Sequence, residues 1–321
     1  MPKFIMMPPQ TDQKREWARR LSDSLADYSV AVPETDEEAL EQIVDADCAF
    51  GWVPPAALAA ARKLRWLQNP DAGPFAGYYY RELIEHPVVI CNPRGIYSDH
   101  ISAHIMTFLL ALSRGLPYYM QAQARREWNK DAPAHKYVYL REATVIIVGV
   151  GGIGAETARL CAAFGMTVIG IDPRIESAPG IAEMLRPDRL DEVLPRADFL
   201  ITTTPHTPET EGMFNMKRFR LMKPTAYFIN IGRGKTTRLE DLTAAIEEGV
   251  IAGCGLDVFE TEPLPADHRL WALPNVLITP HVAVRDGTHV EERRYQIILE
   301  NARRFAAGKP LINVVEKQKW Y

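Results

Sequence analysis

Short apolar runs alternate with amphipathic stretches along almost the whole chain. In the first hundred residues Lys3–Met7, Tyr28–Val32, Asp47–Trp52, Leu64–Gln68 and Val88–Cys91 have the length and composition of strands, and Gln13–Ala26 and Glu37–Val44 carry helical spacing between them. That alternation predicts an α/β domain with a mostly parallel sheet. Pro8, Pro9, Pro54, Pro55 and Pro93 punctuate it at positions suited to turns or first helical turns. From Asp99 to Trp128 the apolar spacing is helical, broken near Gly115–Pro117, and a polar segment, Asn129–Lys136, follows. A second series starts at Thr144. Thr144–Gly149, Thr167–Ile171, Asp198–Thr204, Ala226–Ile231, Gly253–Val258 and Asn275–Thr279 are continuous apolar runs, the pattern of strands covered on both faces. Helical patterns such as Ala155–Phe164 and Leu239–Glu248 separate them, and an amphipathic helix, roughly Thr288–Ala307, precedes a short tail. No repeat of fixed period and no low-complexity segment interrupts the series.

The length, 321 residues, predicts about two domains, each able to bury its own core. Hydrophobic residues at 47% and charged residues at 24% are ordinary for a globular chain and exclude collagenous, disordered and disulfide-scaffold classes. Lys and Arg number 37 against 41 Asp and Glu, a net charge of −4, so neither nucleic acid nor a membrane surface is an expected partner. Cys48, Cys91, Cys161 and Cys254 lie far apart with no CxxC spacing and no histidine pair to complete a zinc pattern. They are expected to be reduced thiols, with no metal. The N-terminus runs from a very short apolar stretch straight into charge, unlike a signal peptide. The most apolar helical stretch, Ile101–Ser113, contains His104 and is too short to span a bilayer. The cytoplasm is the expected location.

The strand TVIIVGV leads into Gly149-Val-Gly151-Gly152-Ile153-Gly154 and then into a helical pattern. This is GxGxxG in the setting that gives it meaning. The first glycine permits a tight turn, the second lets a pyrophosphate approach the backbone, and the third lets helix and strand come close. The helix N-terminus offers free N–H groups to the phosphates. Eighteen residues after Gly154 the next strand ends in Asp172. A carboxylate there accepts hydrogen bonds from both hydroxyls of an adenosine ribose and repels a 2′-phosphate, so NAD is expected over NADP, with Arg174 two residues on as a softening influence.

Ligands of open parallel sheets bind outside the carboxyl ends of the strands. The later strands are followed by Thr204 and Pro205 with His206, by Ile231-Gly232-Arg233, by Glu260-Thr-Glu262, and by Pro280-His281. Read singly, each is also explained as a solvated loop residue. Beside a nicotinamide they form what 2-oxo-acid reduction needs. Arginine is a planar, permanently charged fork for a carboxylate. Histidine supplies a proton near neutral pH. A carboxylate next to it orients the ring and favours the imidazolium.

GVGGIG with Asp172, TTTPHTPET (Thr202–Thr210), NIGRG (Asn230–Gly234), GLDVFETEPLP (Gly255–Pro265) and ITPHVA (Ile278–Ala283) together resemble the D-isomer-specific 2-hydroxyacid dehydrogenases. WLQNPDAGPFAG, ISAHIMTFLLALSR and the ending PLINVVEKQKWY extend the resemblance over nearly the whole chain. It implies that Arg233 binds the substrate carboxylate and that His281 is the proton donor. It places the paired glutamate five residues after the aspartate of LDVF, which selects Glu262 over Glu260. It also implies that Asp257 contacts the nicotinamide carboxamide, that Gly152 and Ile153 face the pyrophosphate, and that Thr204 and Pro205 line the cofactor cleft. The backbone at Ala72 and Gly73 would receive the substrate carboxylate. The implied fold is a Rossmann-type NAD-binding domain, 101–286, inserted into a flavodoxin-like substrate domain made of 1–100 and 287–321. Hinges near 99–101 and 284–287 belong to the same implication, as does a homodimer built on the Asp99–Trp128 segment, which by its sequence alone equally suits a buried crossover.

Two departures from the family pattern stand out. Ser102-Ala103-His104 replaces a common AEH, and Asp71-Ala-Gly-Pro-Phe75 replaces an SAGVD-like loop. The second leaves the identity of the small 2-oxo acid open, as do Tyr78, Tyr79, Tyr80 and Phe75 nearby, which suit either a pocket wall or the core. Phosphoglycerate-dehydrogenase-like chemistry and an NAD-sensing, corepressor-like binding protein are the alternatives. Phosphoglycerate enzymes often carry an added regulatory domain, which is not expected here. Glu262 opposes a formate-type pattern, which has glutamine at that position.

Overall fold

The computed structural model describes residues 1–73, 77–130, 137–285 and 288–318. Phe75, residues 286–287 of the expected hinge and the last three residues lie outside this set. The chain divides into two compact units, Met1–Ile96 with Asp286–Tyr321, and Tyr97–Arg285.

In the first unit β1 (Lys3–Met6), β2 (Ser29–Ala31), β3 (Cys48–Phe50), β4 (Trp66–Gln68) and β5 (Val89–Cys91) alternate with α1 (Asp12–Ser24), α2 (Asp36–Gln42), α3 (Pro55–Ala60) and α4 (Arg81–Glu85). All pairings are parallel and the order is β2-β1-β3-β4-β5, the flavodoxin-like arrangement. Side chains of successive strand residues point to opposite faces. Phe4, Met6, Cys48, Phe50 and Trp66 therefore share one buried cluster, while Ile5, Ala49 and Leu67 share the other. Helices α1 and α2 start on threonine caps, Thr11 and Thr35, whose hydroxyls accept from Lys14 N and Glu38 N. Tyr78 and Tyr80 donate their hydroxyls to Gly51 O and Val53 O, and Tyr79 is buried beside them, so all three serve the core.

The second unit begins with α5 (Ser98–Ser113) and α6 (Leu116–Ala124), divided at Gly115 where φ is +64°. Then β6 (Thr144–Val148), α7 (Gly152–Ala163), β7 (Thr167–Ile171), β8 (Glu183–Leu185), α8 (Leu190–Val193), β9 (Phe199–Thr202), α9 (Met216–Phe219), β10 (Tyr227–Asn230), α10 (Leu239–Glu247), β11 (Gly253–Leu256) and β12 (Val276–Ile278) follow. The sheet order is β12-β11-β10-β9-β6-β7-β8, all parallel. From β6 the chain winds one way through β7 and β8 and then the other way through β9 to β12, which makes the β6–β9 junction the switch point of a Rossmann-type sheet. Every residue of β9, β10 and β11 is buried.

The chain returns to the first unit in α11 (Thr288–Ala306), whose Tyr295, Ile298, Leu299 and Ala302 complete the cluster around Trp66. Tyr28 donates its hydroxyl to Ala302 O at 2.8 Å, and Arg20 grips Glu292 through two nitrogens at 2.7 and 2.9 Å. That guanidinium pulls the Glu292 carboxyl down to about 2. Among the described residues no helix is long and apolar enough to cross a membrane, and no group of three metal-ligating side chains assembles. All four cysteines are buried and free. Burial pushes their thiols upward, to about 12 for Cys91 and Cys161.

Candidate active site

The pairing register of the second sheet aligns the chemistry. Ile171, Val148, Thr202, Asn230, Leu256 and Ile278 form one continuous row of Cα partners across adjacent strands. Asp172, Gly149, Thr203–Thr204, Ile231–Arg233, Asp257 and Thr279–His281 follow that row directly, each just beyond a strand's carboxyl end. Residues more than a hundred positions apart are thereby brought to one edge.

At the switch point, Gly154 lies so close to the preceding turn that a Cβ on it would stand 2.0 Å from Gly149 O. No side chain fits there. Gly151 is different, because nothing lies within 4 Å of its Cβ position, and this gives an anion room to reach the backbone. Gly151 is also the N-cap of α7 and makes no side-chain cap hydrogen bond to the N–H groups that open the helix, while Ser98 Oγ of α5 stands 2.8 Å from where a Cβ of Gly152 would lie. Thr203 donates to Gly149 O at 2.7 Å and ties the glycine turn to β9. Thr204 is buried and its hydroxyl pairs with that of Thr202 at 2.9 Å, whereas Pro205 is exposed.

Asp172 is 6% exposed. Its Oδ2 accepts from Val150 N, inside the glycine turn, at 2.9 Å, and its Oδ1 accepts from Arg174 N and Ile175 N at 2.8 and 3.0 Å. The carboxylate is therefore fixed beside the turn and does not swing in solvent. A carboxylate has about four lone-pair sites, so these three donors leave about one for a ribose hydroxyl. A free run of this shape fits a dinucleotide: room at Gly151, open N–H groups at α7, and a buried, oriented anion at Asp172.

On the other side of the switch point, Asn230 is fully buried and organises the loop after β10. Its Oδ1 accepts from Gly232 N at 2.9 Å, and its Nδ2 donates to Arg233 O at 3.2 Å and to Thr237 Oγ1 at 3.0 Å. Ile231 is buried, and Arg233 is half-buried, with Nη1 donating to Gly232 O at 2.7 Å. Asp257 N donates to Asn230 O at 3.1 Å, which links this loop to the next strand end.

The two glutamates after β11 separate by what they touch. Glu260 accepts from Leu239 N at 3.0 Å and so caps the start of α10. Glu262 accepts from Phe259 N at 2.9 Å through one oxygen and holds His281 Nδ1 at 2.8 Å with the other. A carboxylate only accepts, so His281 Nδ1 carries the proton of that bond and Nε2 is the ring atom left to exchange one. His281 has a left-handed backbone, φ +53°, sparsely populated for a residue with a Cβ. Asp257 holds it there. Its carbonyl accepts from His281 N at 2.8 Å, and its carboxylate, 1% exposed, accepts from Thr279 Oγ1 at 2.5 Å, Val282 N at 2.9 Å and Ala283 N at 3.0 Å. The carboxylate expected at a nicotinamide carboxamide is thus occupied chiefly with the loop that carries the histidine.

Ala72 and Gly73 lie in the first unit on the loop after β4. Asn92 Nδ2 donates to Ala72 O at 3.2 Å, and Asn69 Oδ1 accepts from Asp71 N at 3.0 Å. Sequence reasoning did not single out Asn230 or Thr279. An asparagine ending an apolar strand and a threonine before Pro-His were the only signals for them.

Comparison with known proteins agrees with this geometry. Residues 106–283 match the model of the D-isomer specific 2-hydroxyacid dehydrogenase NAD binding domain. The chain is 31% identical over 315 residues to a D-3-phosphoglycerate dehydrogenase of Methanocaldococcus jannaschii, covering 95% of this chain but only 58% of that protein. It is 36% identical over 232 residues to a glyoxylate reductase of Thermococcus onnurineus, 70% of this chain and 68% of that one. An NADPH-dependent glyoxylate/hydroxypyruvate reductase of Sinorhizobium meliloti, solved with NADP and sulfate, superposes with a TM-score of 0.84 at 27% identity, covering 100% of both chains. With the family's NAD-binding pattern matched over more than half its length, this chain belongs to the D-isomer specific 2-hydroxyacid dehydrogenase family.

Proposed function

We propose that the chain is an NADH-preferring 2-oxo-acid reductase, a D-2-hydroxyacid dehydrogenase acting on small acids such as glyoxylate and hydroxypyruvate. The observation that carries this reading is the single row of strand ends that sets Arg233 and the Glu262–His281 pair on the edge that also bears the glycine turn. The second unit serves as the dinucleotide domain, with Gly149, Gly151, Gly152, Ile153 and Gly154 around the pyrophosphate and Asp172 at the ribose. A bound reduced nicotinamide supplies a hydride for C2 of the oxo acid.

The residues of this chain do the rest. Arg233 offers its fork to the substrate carboxylate, which fixes which end of the acid faces the cofactor. Glu262 holds the His281 ring by Nδ1, and Nε2 delivers a proton to the C2 oxygen as charge builds there. Asp257 keeps the loop in place throughout.

NADH preference rests on Asp172, a buried and immobile anion that opposes a 2′-phosphate. The Sinorhizobium relative uses NADPH, so the point needs its own measurement. The expected kcat/KM ratio of NADH to NADPH is about ten or more, equivalent to about 1.4 kcal/mol of discrimination. Equal efficiencies would remove the assignment of Asp172.

A second reading, oxidation of 3-phosphoglycerate, is favoured by the similarity to the Methanocaldococcus protein over 95% of this chain. NADH consumption with glyoxylate, hydroxypyruvate, pyruvate, 2-oxobutyrate, phenylpyruvate and 3-phosphohydroxypyruvate separates the two. The expected result is highest efficiency with glyoxylate or hydroxypyruvate. A clear lead for the phosphorylated acid selects the second reading. Turnover of none of the six rejects both and leaves a binding protein.

A further inference from the structure

We propose that His104 is a positioning residue for the proton donor, acting through Thr279 and Asp257 on the loop that carries His281. The inference deepens the proposed reduction and rests on it for its kinetic readout.

Thr279 Oγ1 lies 2.5 Å from Asp257 Oδ1 and 2.9 Å from His104 Nε2. A threonine hydroxyl has one proton, and a carboxylate can only accept, so that proton goes to Asp257. His104 Nε2 must then be the donor to Thr279. The direction of the chain is fixed: His104 Nε2–H to Thr279, Thr279 O–H to Asp257. Asp257 in turn accepts the N–H groups of Val282 and Ala283, the two residues after His281, and its carbonyl takes the N–H of His281 itself. The histidine with the left-handed backbone is bracketed on both sides by groups that Asp257 orders.

Two further observations point the same way. Asp257 is almost fully buried, where an anion depends on a complete set of donors. His104 Nε2 stands 3.8 Å from Asp257 Oδ1, with the Thr279 hydroxyl that it polarises between them. The sequence also builds the approach. Gly255 lacks a Cβ where Phe108 of α5 would be 2.8 Å away, so α5 lies directly on β11. The Phe108 ring stands edge-on to His104 with centroids 4.8 Å apart and steadies it over the end of that strand.

The test uses the full chain with His104→Leu, which removes the donor, and His104→Gln, whose side-chain amide restores an N–H near the Nε2 position. The readouts are kcat and KM for hydroxypyruvate, NADH affinity, amide hydrogen exchange at Val282 and Ala283, and thermal stability. For His104→Leu, kcat falls about tenfold, the cost of one hydrogen bond lost next to a charged group, while NADH affinity stays within about twofold. The two amides exchange faster. His104→Gln recovers most of the lost kcat and the protection.

Unchanged kcat and unchanged protection in His104→Leu overturn the proposal. So does equal loss in both variants accompanied by a general loss of thermal stability, because that pattern reports packing rather than the donor. If the wild-type chain reduces no 2-oxo acid, the proposed function fails separately. The exchange of Val282 and Ala283 across the two variants then decides the role of His104 alone.

Discussion

Replacing His281 with asparagine lowers kcat for 2-oxo-acid reduction by about 10²–10⁴-fold, the usual worth of a positioned general acid. Asparagine is the informative choice for two structural reasons. His281 sits at φ +53°, a region asparagine enters more readily than most residues, so the substitution adds little backbone strain. Asparagine also offers an N–H close to the position of Nδ1, which preserves the 2.8 Å link to Glu262. What it cannot do is carry a proton across from Nε2. NADH affinity, measured by titration, and the melting temperature stay close to wild type, because the glycine turn and Asp172 lie on other strands of the sheet. Turnover within threefold of wild type would mean that His281 is not the proton donor.

Loss of Arg233 has a different kinetic signature. Arg233→Ala is expected to lower kcat/KM for hydroxypyruvate by about 10²–10³-fold, equivalent to about 3–4 kcal/mol for two charge-assisted hydrogen bonds to one carboxylate. NADH affinity again changes little. Arg233→Lys recovers only part of the loss, since an ammonium restores charge but not the planar fork. The backbone around the site should persist in both variants. Asn230 holds the loop through its bonds to Gly232 N and Arg233 O, which remain when the guanidinium's bond to Gly232 O is lost. A kcat/KM within a few fold of wild type in Arg233→Ala would show that the carboxylate is recognised elsewhere.

How far the sequence carried these expectations depends on the range of the interactions involved. The alternation of apolar runs and amphipathic stretches located the main strands of both sheets, because buried parallel strands are apolar throughout and helices between them are not. The exception is β8, Glu183–Leu185, an edge strand whose residues are all half-buried and which carries no apolar run. The glycine turn was legible because its constraints are local. The distance from Gly154 to Gly149 O spans five residues, and GxGxxG records it directly.

The cage around His281 was not legible in that way. Asp257 meets Thr279, Val282 and Ala283 across separations of 22 to 26 residues, and His104 meets Thr279 across 175. No periodicity encodes such contacts. Family resemblance did select Glu262 over Glu260, and the geometry supplies the physical difference: one carboxylate caps α10 and the other touches the imidazole. Resemblance gave Asp257 a place at the carboxamide, whereas its hydrogen bonds assign it first to the histidine loop. Asp172 was expected to take both ribose hydroxyls, and three backbone donors leave it about one.

The central claim is that Arg233, Glu262 and His281 together deliver a proton and a fixed orientation to a small 2-oxo acid beside a bound nicotinamide. The most direct measurement is chiral analysis of the product formed from hydroxypyruvate and NADH by the purified chain. The expected product is D-glycerate, formed in step with NADH consumed and lost in His281→Asn. Formation of L-glycerate, or no NADH consumption with hydroxypyruvate or any of the other acids, would contradict it.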